Sequence, residues 1–139
     1  MRILALDLGE KRIGVALSDA LGLTAQGLEV ISYTRPEQAL SRLEEICREY
    51  LVERIVVGLP LNMDGSRGEA ARRAEAFAAK IRQALGLPVS FMDERLSTAA
   101  AEKTLLEADV SRRKRKQVRD KLAAVLILEA YLEARRREG

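Results

Sequence analysis

Residues 3–19 of the chain, ILALDLGEKRIGVALSD, place one acidic residue, Asp7, inside two apolar runs. The runs 3–7 and 12–18 are separated by Gly9-Glu10-Lys11, which predicts two strands joined by a tight hairpin turn. Burying an ionised carboxylate without a partner costs several kcal/mol. Asp7 therefore needs a compensating partner, and the rest of the chain indicates a metal ion shared with other carboxylates.

After the hairpin, the sequence pattern changes from strands joined by a tight turn to strands connected by a helix. A third strand is predicted at about residues 27–33, and Pro36 suits the first turn of a helix. The apolar residues that follow it recur at helical spacing: Ala39, Leu40, Leu43, Ile46, Cys47 and Tyr50. RIVVGLP, residues 54–60, has the composition of a parallel strand that is covered on both faces.

The second half of the chain predicts three further helices and one strand. Ser66 and Glu69 form an S-x-x-E capping box for a helix that Gly86 and Pro88 end. The strand is predicted from PVSFMDE, residues 88–94. The last two helices are predicted at residues 97–108 and at about 112–136.

This order of elements, β-β-β-α-β-α-β-α-α, predicts an α/β fold with one mixed five-stranded sheet flanked by helices. Three antiparallel strands come first, and two parallel strands follow through right-handed crossovers. The order matches the RNase H-like fold. A length of 139 residues suits one domain, so residues 1–139 are expected to form a single domain.

Composition restricts the chemistry and the location. The chain has no histidine and one cysteine, Cys47, which excludes a His general base, Cys-rich zinc sites and disulfides within the chain. Any metal ion must have oxygen ligands, which favours Mg²⁺ or Mn²⁺. The longest apolar run, residues 122–128, is too short to span a membrane, and the strand pattern at the N-terminus leaves no room for a signal peptide. We therefore expect a cytoplasmic protein with no membrane partner.

Carboxylates occur at three places where a packed fold disfavours them. Asp7 ends a strand expected at the centre of the sheet, and Asp93 and Glu94 end the strand that begins at Val89. Because side chains alternate along a strand, at most one of that adjacent pair shares the face of Asp7 while the strand stays extended.

Asp120 is the third candidate. Ala123, Ala124 and Ile127 lie on the same side of its helix, which predicts that this side faces the sheet. The two alanines would let the helix lie close, bringing the carboxylate toward the sheet. Asp7, Glu94 and Asp120 are therefore the candidate metal ligands and catalytic residues for phosphodiester cleavage. The alternative for each of them is a helix cap or an ion pair with a nearby Arg or Lys.

Several basic or polar residues are candidate phosphate contacts: Lys11, Arg12, Ser66, Arg95, Arg112, Arg113, Arg115 and Lys116. Residues 112–121 carry seven basic side chains and one acidic one, a net charge of +6 that leaves −3 for the rest of the chain. Such a local block favours contact with a polyanion, although a solvated helix face has the same composition. For Ser66, a plain helix cap is the favoured interpretation over a phosphate contact. Only five aromatic residues occur, which favours a structured or duplex nucleic acid held by its phosphates.

Four blocks spread over the chain resemble the YqgF family: ALDLGEKRIGVALSD, VVGLPLNMDGS, DERLST and RDKLAAVLILEAYL. The resemblance implies an RNase H-like fold, similar in outline to the RuvC resolvases. It also implies a metal-dependent nuclease that acts on the 5′ end of the small-subunit ribosomal RNA precursor, on branched DNA or on both. By their positions in these motifs, Asp7, Glu94 and Asp120 correspond to the acidic site residues of the family. Asp93 is the second choice for the position assigned to Glu94. Arg119 departs from the family pattern, which usually has an aliphatic residue there.

Two other functions remain open at this stage, as does the oligomeric state. A phosphotransferase of the actin and sugar-kinase type has a similar Asp-x-Gly turn, but 139 residues lack its second domain. A nucleic-acid-binding or ribosome-associated module without catalysis would have a similar basic helix. The protein is a monomer or a homodimer, and symmetrical cutting of branched DNA would favour the dimer.

If the block 112–116 contacts phosphates, neutralising Arg113 and Arg115 lowers affinity for every nucleic acid tested. The slope of log K against log salt then falls by about one for each phosphate that the protein no longer neutralises. Binding titrations at several salt concentrations measure this slope, and an unchanged slope identifies the block as a solvated helix face.

Overall fold

A computed structural model describes residues 1–96 and 112–138, with the side chains of residues 112–118 outside the description. The strands are β1 (Arg2–Leu8), β2 (Arg12–Ser18), β3 (Ala25–Ser32), β4 (Val52–Leu59) and β5 (Val89–Asp93). The helices are α1 (Pro36–Tyr50), α2 (Glu69–Leu85) and α3 (Arg112–Glu138), with a short 3₁₀ helix at Glu94–Leu96. The helix predicted at 97–108 lies outside the described residues.

The five strands form one sheet in the order β3-β2-β1-β4-β5. β2 pairs antiparallel with both β1 and β3, and β4 pairs parallel with both β1 and β5. The predicted mixed sheet is thus confirmed, and β1 is its central strand. Asp7 lies one residue before the end of β1, where it pairs with Gly14 of β2.

The two faces of the sheet carry separate apolar clusters. One face packs against α1 and α2 through Leu4, Leu6, Ile13, Val15, Ile55 and Val57. The other face packs against α3 through Ile3, Ala5, Ala16 and Val56. Because side chains alternate along β1, Asp7 lies on the same face as Ile3 and Ala5. The acidic residue therefore faces α3, the helix that carries Asp120.

The start of α2 corrects the sequence interpretation of Ser66. The helix begins at Glu69 with Gly68 as the N-cap, and no side chain caps it, so the predicted Ser66–Glu69 capping box is wrong. Asp64 accounts for the difference, because its Oδ1 accepts hydrogen bonds from the Ser66 amide at 2.9 Å and from the Ser66 hydroxyl at 2.6 Å. Such a local bond competes with capping and keeps Ser66 in the turn before the helix.

Other boundaries follow the sequence closely. Pro36 opens α1, and α2 ends at Leu85, with Gly86 adopting the left-handed conformation (φ 67°) as its C-cap. Cys47 is buried, as the helical spacing predicted, and burial raises the pKa of its thiol to about 11. β3 begins two residues earlier than predicted. Within residues 1–96 and 112–138, no helix combines the length and apolar character that crossing a membrane requires.

Candidate functional site

Asp7 lies beside a cavity of about 490 Å³ at the end of β1. The cavity, here called the site cavity, is lined by residues 7–12, which run from the end of β1 through the hairpin turn to the start of β2. Arg119 and Asp120 of α3 complete its lining. Asp7 is only 7% exposed and Asp120 only 9%. The fold therefore brings two buried carboxylates to one opening although 112 residues separate them in the chain.

Gly14 explains how α3 comes so near the sheet. It is the partner of Asp7 on β2, and it lies directly beneath the backbone of Asp120. A methyl group at Gly14 would overlap the carbonyl oxygen and carbon of Asp120. The helix backbone thus rests on a strand position that has no side chain, and this contact fixes Asp120 next to Asp7.

Gly58 has the matching role on the other side of Asp7. It follows Val57, which pairs with Leu6, so Gly58 neighbours Asp7 on β4. A Cβ atom at Gly58 would lie 2.8 Å from Oε1 of Glu94. Asp7 is therefore flanked by two glycines. The backbone of Asp120 lies above Gly14, and the side chains of Ile127 and Glu94 lie above Gly58.

The adjacent acids Asp93 and Glu94 lie in different surroundings. Asp93 ends β5, and its carboxylate accepts hydrogen bonds from Arg95, at 2.9 Å from the backbone amide and 2.7 Å from the guanidinium. This pairing with Arg95 lowers the pKa of Asp93. Glu94 does not occupy the last strand position but is the first residue of the 3₁₀ helix. The predicted strand, which included Glu94, is therefore one residue too long. The turn brings Glu94, and not Asp93, over Gly58.

Asp120 forms ion pairs within the site cavity. Nε of Arg12 lies 3.0 Å from Oδ2 of Asp120, and Nε of Arg119 lies 3.8 Å from Oδ1. The predicted apolar stripe is confirmed, because Ala123, Ala124 and Ile127 are all fully buried. Arg12 was predicted to contact a phosphate, but in this structure it contacts the carboxylate of Asp120. For Asp120, the alternative prediction of an ion pair with a nearby arginine is therefore confirmed.

The carboxylates are gathered on one face but do not form a closed metal cage. Within the described ranges 1–96 and 112–138, no three His, Cys, Asp or Glu side chains lie close enough together to hold an ion. Mg²⁺ commonly binds through one or two carboxylates, with waters and substrate phosphates completing its shell. The all-oxygen donors beside the site cavity therefore match the donor type that a hard cation such as Mg²⁺ or Mn²⁺ prefers.

The other predicted phosphate contacts are dispersed. Lys11 is exposed at the site cavity, Ser66 lies in the turn before α2, and Arg95 holds Asp93. The side chains of Arg112, Arg113, Arg115 and Lys116 lie outside the described residues. Sequence interpretation missed the roles of Gly14 and Gly58, although a glycine inside an apolar strand is a known signal of close backbone approach.

Replacing Gly14 by alanine should destabilise the protein by about 3 kcal/mol, because the methyl group would overlap the α3 backbone, which cannot rotate aside. Gly27→Ala is the matched control, since its Cβ would meet side-chain atoms of Lys121 and Val125 of the same helix at an ordinary 3.6 Å. Urea unfolding of both variants measures the difference. Equal stability of the two variants would contradict the close contact.

Replacing Arg12 by glutamine should lower the free energy of unfolding by about 2 kcal/mol, because it leaves the buried Asp120 without its closest cation. The double variant Arg12→Gln/Asp120→Asn should recover most of that loss. A double-mutant cycle from urea unfolding gives the coupling energy. Additive effects of the two substitutions would show that the pair contributes nothing to stability.

Comparison with known proteins places the whole chain in one family. The family described as RuvX, Holliday junction resolvase, matches residues 1–134. A relative from Symbiobacterium thermophilum is 59% identical over 135 residues, covering 97% of this chain and 94% of its own. Another, from Geobacillus kaustophilus, is 56% identical over 138 residues, covering 98% of this chain and 100% of its own. Both relatives are named as candidate pre-16S rRNA nucleases.

Solved structures support the fold. The RuvC protein of Thermus thermophilus in complex with a Holliday junction substrate aligns with a TM-score of 0.64 at 17% identity, covering 98% of this chain and 96% of RuvC. A second Thermus thermophilus RuvC structure gives a TM-score of 0.58 at 18% identity, with 96% of each chain covered. The RNase H-like fold predicted from the order of elements is thus confirmed, and the match over residues 1–134 together with relatives above 50% identity shows that the chain belongs to the RuvX family.

Proposed function

We propose that this protein is a metal-dependent endonuclease that hydrolyses phosphodiester bonds in the cytoplasm. Its substrate is the 5′ end of the 16S rRNA precursor, with branched DNA such as a Holliday junction as a second substrate. The names of the close relatives support the first substrate, and the description of the RuvX family supports the second.

The observation that carries the proposal is the arrangement around Asp7. Two glycines flank it in the sheet, and the backbone of Asp120 and the side chains of Glu94 and Ile127 occupy the space above them. Burying a carboxylate such as Asp7 disfavours folding unless it is compensated, so a core with no chemical task would carry an apolar side chain at this position. The fold instead leaves three carboxylates on one face at the end of its central strand.

Asp7, Glu94 and Asp120 are the residues that would hold the metal, and Asp93 is the second choice. Their oxygen donors and the absence of histidine favour Mg²⁺ or Mn²⁺. When bound, such ions activate a water molecule and stabilise the leaving oxygen of a phosphodiester. Between the two adjacent acids, Glu94 is preferred because it lies over Gly58, whereas Asp93 is bound by Arg95.

The basic residues of the site cavity would hold the substrate. Lys11, Arg12 and Arg119 line it beside the carboxylates. A guanidinium can hold a phosphate through two parallel hydrogen bonds, so Arg12 and Arg119 are suited to orient the scissile group. Arg12 and Arg119 also pair with Asp120, which would hold this carboxylate in place before substrate arrives.

The oligomeric state depends on the substrate. Cutting one strand of an RNA precursor needs a single site, and a monomer suffices. Resolving a four-way junction needs two symmetrical cuts, which a homodimer with two-fold symmetry would supply.

A nucleic-acid-binding module without catalysis is the second candidate. The ion pair between Arg12 and Asp120 favours it, because that pair already satisfies one carboxylate without a metal. The lack of a three-ligand cage within residues 1–96 and 112–138 favours it too. Both functions bind nucleic acid, so the carboxylates must be tested by their effect on cleavage.

Replacing Asp7 by asparagine should reduce metal-dependent cleavage by a factor of about 100 or more, because an amide is a weak ligand for a hard cation. Affinity for nucleic acid in Ca²⁺ should stay close to that of the wild type. The measurement incubates both proteins with a labelled 16S rRNA precursor fragment and a four-way DNA junction, each with Mg²⁺, Mn²⁺ or EDTA.

Glu94→Gln and Asp93→Asn form a matched pair of variants in the same assay. We expect the larger loss of cleavage from Glu94→Gln, and the reverse order would make Asp93 the ligand. Wild-type binding without any metal-dependent cutting of either substrate would support the binding module. Equal traces of cutting in the wild type and Asp7→Asn would identify a contaminating nuclease.

A further inference from the structure

A second cavity of about 370 Å³ adjoins the site cavity. Both are lined by Leu8, Gly9 and Glu10 of the hairpin turn, so they lie on either side of this turn. The second cavity, here called the flanking cavity, continues between Tyr33 and helix α2. A strand held with one phosphate in the site cavity would enter the flanking cavity as it crosses the turn.

Two aromatic rings form part of the wall of the flanking cavity. The ring centroids of Tyr33 and Phe77 are 6.0 Å apart, with the ring planes tilted by 46°. The Tyr33 hydroxyl donates to the carbonyl of Gly9 at 3.2 Å, and its backbone amide donates to the carbonyl of Lys11 at 3.0 Å. These bonds fix Tyr33 to the turn that separates the cavities. Both residues are half-buried and line the cavity, so part of each side chain is accessible to a base that enters it.

Two cations lie on the same side of α2 as Phe77. Arg73 precedes the ring by four residues and Lys80 follows it by three, so all three face the flanking cavity. Nη1 of Arg73 lies 2.9 Å from Oε1 of Glu10, and the two side chains are 52% and 73% exposed. An ion pair this exposed contributes little to stability, so an incoming phosphate can replace Glu10 as the partner of Arg73. Two basic residues against one acidic residue leave the cavity positive.

We propose that the flanking cavity binds one unpaired nucleotide of the substrate strand, adjacent to the cleaved bond. Its base stacks against Tyr33 and Phe77, and its phosphate binds Arg73 and Lys80. This inference rests on the proposed function, because the ligand is a nucleic acid. It narrows that function, since the preferred substrate then has an unpaired nucleotide beside the cut and is not a continuous duplex.

The test measures binding by fluorescence anisotropy in Ca²⁺, with a labelled single-stranded oligonucleotide and a duplex of the same sequence. Phe77→Leu should weaken single-strand binding about tenfold and leave duplex binding unchanged, because leucine keeps the apolar contact with the core but removes the stacking ring. Phe91→Leu is the matched control, since Phe91 is a partly exposed ring on β5 outside the cavity.

The cation contribution is tested separately by salt dependence. Lys80→Gln should lower the slope of log K against log salt for the single strand by about 0.7. Arg72→Gln is its control, because Arg72 is an exposed cation on the same helix that does not line the cavity. Lys80 is exposed, so this variant keeps the test decisive even if Phe77→Leu fails to fold.

Abasic substitution locates the nucleotide. Each nucleotide of the oligonucleotide is replaced in turn by an abasic one. Replacement at one position should weaken binding to the wild-type protein, and the same replacement should have no effect on binding to Phe77→Leu. Single-strand affinities of Phe77→Leu and Lys80→Gln equal to those of their controls would overturn the flanking-cavity site while leaving the nuclease untouched. A wild-type protein that binds neither oligonucleotide would overturn this inference, whereas the proposed function is overturned only if neither the 16S rRNA precursor fragment nor the four-way junction is cut.

Discussion

The contact between the α3 backbone at Asp120 and Gly14 of β2 is the constraint on which the site depends. It sets the distance between helix and sheet, because no side chain separates them there. Ala123, Ala124 and Ile127 then pack on the same face one turn and two turns further along α3. A helix held further from the sheet would lose this packing, and it would also remove Asp120 from the side of Asp7. Core packing and site geometry therefore depend on the same contact between Gly14 and the backbone of Asp120.

The electrostatics of the site cavity follow from that short distance. The lining carries three acidic residues and three basic residues: Asp7, Glu10 and Asp120 against Lys11, Arg12 and Arg119. Formal charge is thus balanced without any bound ion, which limits the repulsion among carboxylates in the folded state. Adding a divalent cation together with a substrate phosphate would change the balance little. The same small cavity thus contains carboxylate oxygens and cationic donors side by side.

Sequence patterns predicted the elements better than they predicted the contacts. The bounds of β2 and the start of α1 agree with the prediction because apolar periodicity and Pro36 report local structure directly. The fully buried stripe beside Asp120 was also predictable from helical spacing. The side on which Glu94 lies could not be predicted, because Glu94 lies in a 3₁₀ turn that follows the strand, where Arg95 donates to Asp93.

The pairing of Arg12 with Asp120 could not be predicted for a related reason. It joins residues 108 positions apart, and a single sequence carries no periodicity over such a distance. Ser66 was misassigned because a local bond to Asp64 competes with helix capping, and both outcomes use the same residue types. The glycines did carry a signal, since Gly14 and Gly58 interrupt apolar strands where a side chain would normally add packing.

The dependence of the site on α3 has a consequence for how the protein is made. Residues 1–96 supply all five strands, but Asp120 reaches the sheet only when the C-terminal helix docks on the N-terminal hairpin. Contacts between such distant parts of a chain form late, because closing a long loop is entropically unfavourable. During synthesis, the sheet can begin to form while the site is still incomplete. Until the last helix docks, Asp120 cannot lie beside Asp7, and the site cavity lacks the part of its wall that Arg119 and Asp120 supply.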